Sequence, residues 1–455
     1  MSAQSAGVHL VGASTPVRRP DTSSRPTMTK RAWWLVLLNV LVPGSAQVLA
    51  GSRRLGRFAL GSTLLLWTLT VVAVVLYIVS PAAIYTVFTT SWALLAAQVF
   101  LAFYAVLWVV LAFDTLRLAR LFTTAPPVRV LVAFFAVVLL FATAGTATYG
   151  VVVVNSARTA LDQVFTGGNY ADPVNGRYNV LMLGGDAGAD RTGLRPDSIS
   201  VVSIDADTGA TTIIGVPRNL QKVQFVKDSP LWGPFPTGYD CGNDCLVSYL
   251  YTYGEEHPDL YPDAVSNGST PGIEAMRDAI AGVTGLKLQY YVLIDMKGFA
   301  KLINALGGIT IDVKERLPIE GGEDANGQPT DVAAWIEPGV QKMRGSVALW
   351  YARSRHGTSD YDRMKRQRDV QEAILTQFSP ANVLTKFQSI AEAGSQIVET
   401  DIPQVMLGHF VELAGKAREK KLTRLELSPP AVDMVQPNFD EVHALVKKAV
   451  KKKKS

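Results

Sequence analysis

Histidine and cysteine are scarce in this chain, five and two among 455 residues. His9, His257, His356, His409 and His443 have no metal-ligand spacing and form no His-Glu-x-x-His, so the common zinc-hydrolase signature is missing. There is also no Gly-x-Ser-x-Gly elbow, no Walker-type Gly-Lys-Ser/Thr and no dinucleotide fingerprint. Esterase, P-loop and Rossmann chemistry therefore have no sequence support. The net charge of +5 is modest and gives no reason to invoke nucleic acid. Charge is missing altogether from two stretches: residues 58–113 and 130–154 contain no Asp, Glu, Lys, Arg or His.

Those uncharged stretches raise the hydrophobic content to 48%, more than an ordinary soluble protein of this size carries. Phe58–Ser80, Ser91–Phe113 and Val130–Val154 each exceed the length that crosses a hydrocarbon core of about 30 Å. The basic residues Arg53, Arg54 and Arg57, and then Arg117, Arg120 and Arg129, mark cytoplasmic loops, whereas the connection near Pro81–Thr90 is uncharged and faces out. Three spans in this order leave everything after about 155 outside. The run Trp33–Ala50 admits two readings. It is a re-entrant hairpin around Pro43-Gly44, or a fourth span that puts one basic flank outside. Residues 1–32 are polar at first and lack an apolar signal-peptide region, so they read as a disordered cytoplasmic tail. The expected organisation is a membrane region over 33–154, a linker over 155–176, an extracellular domain over 177–430, and a C-terminal helix with a Lys-rich tail over 431–455. That tail (Lys447, Lys448 and Lys451–Lys454) is either a solubilising end or a magnet for anionic headgroups or wall polymer, worth up to about 1 kcal/mol per Lys.

In the outer part, strands and helices alternate. Strands are expected at Tyr178–Leu183, Ser198–Ile204, Thr211–Val216, Tyr290–Asp295, Ile309–Val313 and Leu422–Leu427. The second and third are joined as a hairpin through Asp205–Gly209. Helices are expected at Asn155–Asp172, Gly272–Val283, Lys297–Leu306, Gly345–Tyr351, Tyr361–Phe378, Ala381–Glu399, Pro403–Lys420 and Phe439–Val450. The stretch 221–270 reads as an insertion with one short helix near Leu246–Tyr253, and Glu320–Gln328 as a polar loop. The fold class is α/β, a mixed central sheet flanked by helices and preceded by a helical transmembrane region. Cys241-Gly-Asn-Asp-Cys245 lies in the outer part, where an oxidising compartment favours a local disulfide. Metal binding would need further ligands, and the pair lacks a nearby basic partner for thiolate chemistry.

The motifs that carry chemistry start where the membrane sequence ends. Asp186 follows Gly184-Gly185 at a strand end, and Asp197 opens the next strand, so adjacent strand ends can bring two carboxylates to one Mg²⁺. Turn and cap duty is the plainer account of a Gly-Gly-Asp sequence. Arg195-Pro-Asp197-Ser198 and Val216-Pro-Arg218 add arginines that can neutralise a polyanion. Arg353 and Arg355 are two apart and share a side if that segment is extended, with His356 beside them as a candidate proton carrier or a packed histidine. Arg363, Arg366 and Gln367 share one helix face, while Lys365 and Arg368 fall off it and are expected in solvent. Planar guanidinium groups suit phosphate oxygens, although a surface network with Asp360, Asp362 and Asp369 would also account for this face.

The ordered set from Asn179-Val-Leu-Met-Leu-Gly-Gly-Asp186 to Arg363-Met-Lys-Arg366-Gln367, with Asn304-Ala-Leu-Gly-Gly-Ile-Thr-Ile311 between, resembles the LytR-CpsA-Psr family of bacterial wall glycopolymer ligases. The likeness covers about 177–378. It implies a membrane-bound phosphotransferase that moves a glycopolymer from a polyprenyl-pyrophosphate carrier in the lipid to peptidoglycan. By position, Asp186 and Asp197 would bind Mg²⁺, or Mn²⁺ in its place. Arg195, Arg218, Arg353, Arg355, Arg363, Arg366 and Gln367 would clamp the pyrophosphate, and Asp360 would hold arginines or act on a proton. Departures are Arg195-Pro-Asp-Ser where the family usually has Arg-Ser-Asp-Thr, Asn219 where it has Asp, and Asp362 where Gly is common. The multiple spans resemble actinobacterial variants and imply a multi-pass plasma-membrane protein with its catalytic domain outside. Two other classes share the same residues: a lipid pyrophosphatase that admits water, and a non-catalytic sensor of the carrier lipid.

Overall fold

A computed structural model describes residues 17–18, 20–165, 168–186, 195–324, 329–354, 359–377 and 398–451. The chain divides into two compact units, residues 1–81 with 92–155, and residues 82–91 with 156–455. The N-terminal helices are α1 (Arg25–Leu41), α2 (Ser45–Ala50), α3 (Arg53–Val79), α4 (Pro81–Thr89), α5 (Ser91–Ala119) and α6 (Pro126–Val164). Among the described residues, three helical segments are long and apolar enough to cross a membrane: α3, α5 with its following turn to Thr123, and α6. They cover the expected spans Ser91–Phe113 and Val130–Val154 entirely and Phe58–Ser80 up to Val79. Their apolar side chains, Val71, Val75, Phe113 and Phe134 among them, remain exposed, as suits helices solvated by lipid.

Trp33–Ala50 is not one helix. It breaks at Val42–Gly44, where proline offers no N–H and Gly44 takes φ +95°. In the first unit, fully buried Gln47 donates to Leu111 O at 3.1 Å and Thr115 Oγ1 at 2.9 Å, tying α2 to α5.

The second unit is built on a six-stranded mixed sheet. Its strands are β1 (Arg177–Asp186), β2 (Arg195–Asp205), β3 (Thr211–Val216), β4 (Tyr290–Asp295), β11 (Val398–Thr400) and β12 (Thr423–Glu426), in the order β11-β4-β1-β2-β3-β12. β1, β2 and β3 run antiparallel in turn, while β4 is parallel to β1 and β12 parallel to β3. Between β3 and β4 lie α7 (Leu250–Glu256) and α8 (Pro271–Thr284). After β4 come α9 (Met296–Leu306), β5 (Ile309–Val313) and two small hairpin pairs, β6 (Leu317–Ile319) with β9 (Ala334–Ile336) and β7 (Gly322–Glu323) with β8 (Pro329–Thr330). Then follow β10 (Gly339–Met343), α10 (Gly345–Arg353), α11 (Asp360–Gln377), α12 (Gln404–Arg418) and α13 (Phe439–Val450).

The period-two pattern of β1 decides the layers. Leu181 and Leu183 join Ile199, Val201, Ile214 and Val216 on the face packed by α8 and α13, through Met276, Ile280, Val442 and Val446. Tyr178 and Val180 lie on the other face against Met406 and Leu413 of α12. All six residues of β3 are buried, which explains its uninterrupted Thr-Thr-Ile-Ile-Gly-Val. A third cluster gathers Ile303, Ile309, Ile311, Met343, Tyr351 and Val370 from α9, β5, β10, α10 and α11.

The expected α/β class and its strands are present, with two corrections. Most of the helix expected at Ala381–Glu399 lies outside the described residues, but Val398 and Glu399 belong to strand β11. There the edge of β4 supplies backbone partners, and pairing overrides local helix preference. The helix expected at Asn155–Asp172 is the end of α6 and stops at Val164. In addition, the polar loop at Glu320–Gln328 contains β7.

Helices α7 and α8 meet through glycines. A Cβ at Gly272 would fall 2.5 Å from Tyr251 O, and one at Gly254 the same distance from Pro271 O. Backbone cannot yield as a flexible side chain can. Gly272→Val should therefore lower the unfolding free energy by about 2–3 kcal/mol. Denaturant unfolding of the two proteins checks this, and equal midpoints would contradict the packing described.

Candidate functional site at the end of the central sheet

Antiparallel order places the end of β1, the start of β2 and the end of β3 at one sheet edge. In open α/β sheets, loops at such an edge commonly form ligand sites. The β1–β2 register pairs Gly184 with Ser198, Gly185 with Pro196 and Asp186 with Arg195. A bulge at Gly184/Gly185 leaves Asp197 opposite the irregularity. A Cβ at Gly184 would stand 3.2 Å from that of Ser198, so a small residue lets the strands close here. The backbones of Asp186 and Asp197 thus lie at neighbouring strand ends.

Pro217-Arg218 continues β3 beyond the sheet, and Arg218 points into a chain of alternating charges. Its Nη1 donates to Asp197 Oδ1, and its Nε stands 3.7 Å from Asp360 Oδ2. Asp360, the first residue of α11, also receives Arg363 Nη2 at 2.9 Å from Oδ1. Arg363 Nη2 is also within 3.5 Å of Asp197 O, which it can reach as a donor. The Arg363 side chain is only 3% exposed, against 30% for Arg218. The former is an internal strut and the latter reaches solvent. Arg195 and Arg353 are exposed, with guanidinium carbons 4.6 Å from the Tyr249 ring centre and 5.9 Å from that of Trp350.

The remaining residues of the set play other parts in the geometry. Arg353 occupies the last turn of α10, so at Arg353 the extended alternative, on which a shared side with Arg355 depended, is not the one adopted. Arg355 and His356 lie outside the described residues. Arg366 is buried and turned inward: its Nε donates to Tyr351 O at 3.1 Å and its Nη2 to Ser354 O. These are carbonyls at the end of α10, which an α-helix leaves unsatisfied. Gln367 Nε2 reaches Ala352 O at 3.5 Å in the same region. Arg366 and Gln367 therefore dock α11 onto the end of α10. Asn219 has a buried side-chain oxygen with no hydrogen-bond partner among the described residues.

Asp362 and Ser359 form a reciprocal cap at the start of α11. Asp362 Oδ2 accepts from Ser359 N at 3.1 Å and from its hydroxyl at 2.6 Å, while Asp362 N donates to Ser359 Oγ at 3.2 Å. The Ser359 hydroxyl bond, with smaller help from Lys365, holds the Asp362 carboxyl below the ordinary aspartate range. Lys365 is in solvent as expected, but Arg368 is not; its side chain is 1% exposed. Its Nη1 donates to Gln371 Oε1 at 2.5 Å, and its Nε lies 3.6 Å from Glu426 Oε1 on β12. Helix-face reasoning missed this because the face away from Arg363 packs on the sheet. Burial lowers the Arg368 guanidinium and raises the Glu426 carboxyl, so both move toward their neutral forms. Sequence reasoning also missed Tyr351, whose hydroxyl donates to Asp369 Oδ2 at 2.8 Å, while Arg424 Nη1 holds Asp369 Oδ1 at 2.6 Å.

The fold and this edge define a mixed α/β domain with an interleaved arginine–carboxylate site, in a chain whose described residues include three helical segments of membrane-spanning length. The chain belongs to the LytR_cpsA_psr family, which matches residues 149–453. It is 29% identical over 231 residues to Biofilm regulatory protein A of Streptococcus mutans, covering 50% of each chain. It is 26% identical over 260 residues to Cell wall biosynthesis protein LcpA of Corynebacterium glutamicum, covering 51% of this chain and 46% of that one. It is also 26% identical over 210 residues to the polyisoprenyl-teichoic acid–peptidoglycan teichoic acid transferase TagV of Bacillus subtilis, covering 46% and 45%. The crystal structure of TagV aligns with a TM-score of 0.44 at 22% identity, over 60% of this chain and 97% of that one. The chain spans about half the length of these curated relatives.

The buried pair under α11 generates a stability test. Removing one partner strands the other charge, so Glu426→Ala should cost about 3–5 kcal/mol, whereas Arg368→Met with Glu426→Leu should be near neutral. With its folded pKa raised by burial, Glu426 binds its proton more tightly in the fold than in the unfolded chain. Its contribution to stability therefore falls as pH rises above the ordinary glutamate range and levels off beyond its folded pKa. Chemical unfolding of the three proteins between pH 4 and pH 8 would expose a double variant as unstable as the single one, contradicting this account.

Proposed function

We propose that this protein transfers a glycopolymer from a polyprenyl-pyrophosphate carrier to peptidoglycan, forming a phosphodiester link at the outer face of the plasma membrane. The observation that carries the reading is the convergence of Asp197, Arg218, Asp360 and Arg363 at one sheet edge, with Arg195 exposed beside the same strand end. Transferase and cell-wall roles are the printed descriptions of TagV and LcpA, and the shared family supports carrying that class over. Basic residues around Arg53–Arg57 and Arg117–Arg129 put those loops inside, so an odd number of spans leaves the domain outside.

In this reading the acceptor sugar hydroxyl attacks the phosphorus nearer the glycan. The bond from that phosphorus to the bridging oxygen breaks, polyprenyl phosphate leaves with the bond's electron pair, and the hydroxyl proton is released to water. Such transfers need alignment and charge stabilisation more than a covalent enzyme intermediate. Arg195, Arg218 and Arg353 meet the pyrophosphate oxygens through planar N–H groups. Asp360 braces Arg218 and Arg363, and Arg363 supports the Asp197 backbone. Arg366 and Gln367 keep the end of α10, and so Arg353, in place. Neighbouring strand ends suit Asp186 and Asp197 as oxygen donors to Mg²⁺, although Asp197 already accepts from Arg218. When bound, that ion would partly neutralise the pyrophosphate and stabilise charge on its oxygens.

The full chain in detergent, supplied with a short-chain polyprenyl-pyrophosphoryl oligosaccharide, Mg²⁺ and peptidoglycan fragments, should yield a phosphodiester-linked adduct that EDTA abolishes. Arg353→Ala and Asp197→Ala should each lower its rate by about 10²–10³ without unfolding the domain, a scale taken from lost oxyanion contacts. Mass spectrometry reads the products. Free sugar phosphate alone would replace this reading with hydrolysis, and ligand binding without product would replace it with sensing.

A further inference from the structure

The disulfide loop has no part in the reading above, yet it touches two of the arginines. Cys241 and Cys245 are bonded, and Cys245 sits 1% exposed in the core with Val247 and Leu250. Around the bridge, residues 239–248 run alongside 218–223. Tyr239 N donates to Val223 O at 2.9 Å, Gln221 Nε2 to Asn243 Oδ1 at 3.0 Å, Val247 N to Leu220 O at 2.9 Å and Ser248 N to Arg218 O at 3.2 Å. The loop thus grips the main chain of Arg218. One residue later, half-buried Tyr249 presents its ring to Arg195 at 4.6 Å. Among the described residues no carboxylate pairs with Arg195.

That difference from Arg218 and Arg363 has a chemical meaning. A carboxylate holds a guanidinium by occupying its N–H donors. An aromatic face holds it through the π cloud and leaves the in-plane N–H groups for a ligand. We propose that the Cys241–Cys245 loop is a brace for the anion clamp: the bridge fixes the loop, Ser248 holds Arg218 by its carbonyl, and Tyr249 is a positioning residue that aims Arg195 at a pyrophosphate. This rests on the proposed pyrophosphate site and adds an element that lies outside the arginine–aspartate motifs. The bridge persists only in an oxidising compartment, so the brace is complete only outside the cytoplasm.

The test uses the full chain in detergent, titrated calorimetrically with farnesyl pyrophosphate and Mg²⁺. Arg195→Gln should weaken binding about tenfold, and Tyr249→Leu about three- to tenfold, the scale of a partly desolvated cation–π contact. Tyr249→Phe, which keeps the ring face, should stay within about twofold of wild type. Arg195→Gln with Tyr249→Leu should bind no worse than Arg195→Gln alone, because the ring acts only through that arginine. Cys241→Ser with Cys245→Ser should match Tyr249→Leu, and a thermal melt of each variant confirms that the domain is folded. Wild-type affinity in either Tyr249→Leu or the bridge variant, with Arg195→Gln weakened, overturns the brace and leaves the clamp standing. Wild-type affinity in Arg195→Gln overturns the clamp assignment and the brace together.

Discussion

Several guanidinium groups cannot gather at one sheet edge without something to hold them apart electrostatically. Two unit charges 4 Å apart repel by about 4 kcal/mol at the effective dielectric of a protein surface. This chain answers by interleaving carboxylates: Asp197, Arg218, Asp360 and Arg363 alternate in sign across the ends of β2, β3 and α11. The sum over those four groups is neutral, so attraction between neighbours offsets the repulsion between like charges. Arg195 and Arg353 then add exposed positive charge, each with an aromatic ring nearby.

Beneath this edge, α11 works as a beam. It carries Asp360 and Arg363 at its start, docks α10 through Arg366 and Gln367, and is tied to the sheet by Arg368 with Glu426 and by Asp369 with Arg424. Gln371 Nε2 adds a bond to Ser200 Oγ of β2 at 3.2 Å. A run of charge that would suit a solvated helix is instead divided among a cap, a site, a helix junction and a buried ion pair. The N-terminal unit uses polar groups more sparingly. There Gln47 supplies a buried knot between α2 and α5, while long apolar helices leave their outer faces to lipid-like surroundings.

Much of this was legible from residue pattern. β3, β4, β5 and α13 occupy the expected ranges, because a fully buried strand, an alternating strand and a capped amphipathic helix each impose a local period. The three expected spans lie in helices, Ser80 apart, for an equally local reason, since length and hydropathy alone decide them. The Cys241–Cys245 bridge was also within reach, being short-range and without rivals. Strand β11 was not, because only the exposed edge of β4 makes Val398 and Glu399 extended.

The sequence by itself determined most of the elements and the membrane-length helices. These follow from period, composition and spacing along the chain. Only the tertiary structure decided what each residue of the charged motifs does. Arg366 and Arg368, two residues apart, end against helix carbonyls and in a buried ion pair, and Tyr249, outside every charged motif, comes to lie under Arg195. A side chain's partner depends on which surface the fold brings opposite it, and that surface belongs to residues far away in the chain.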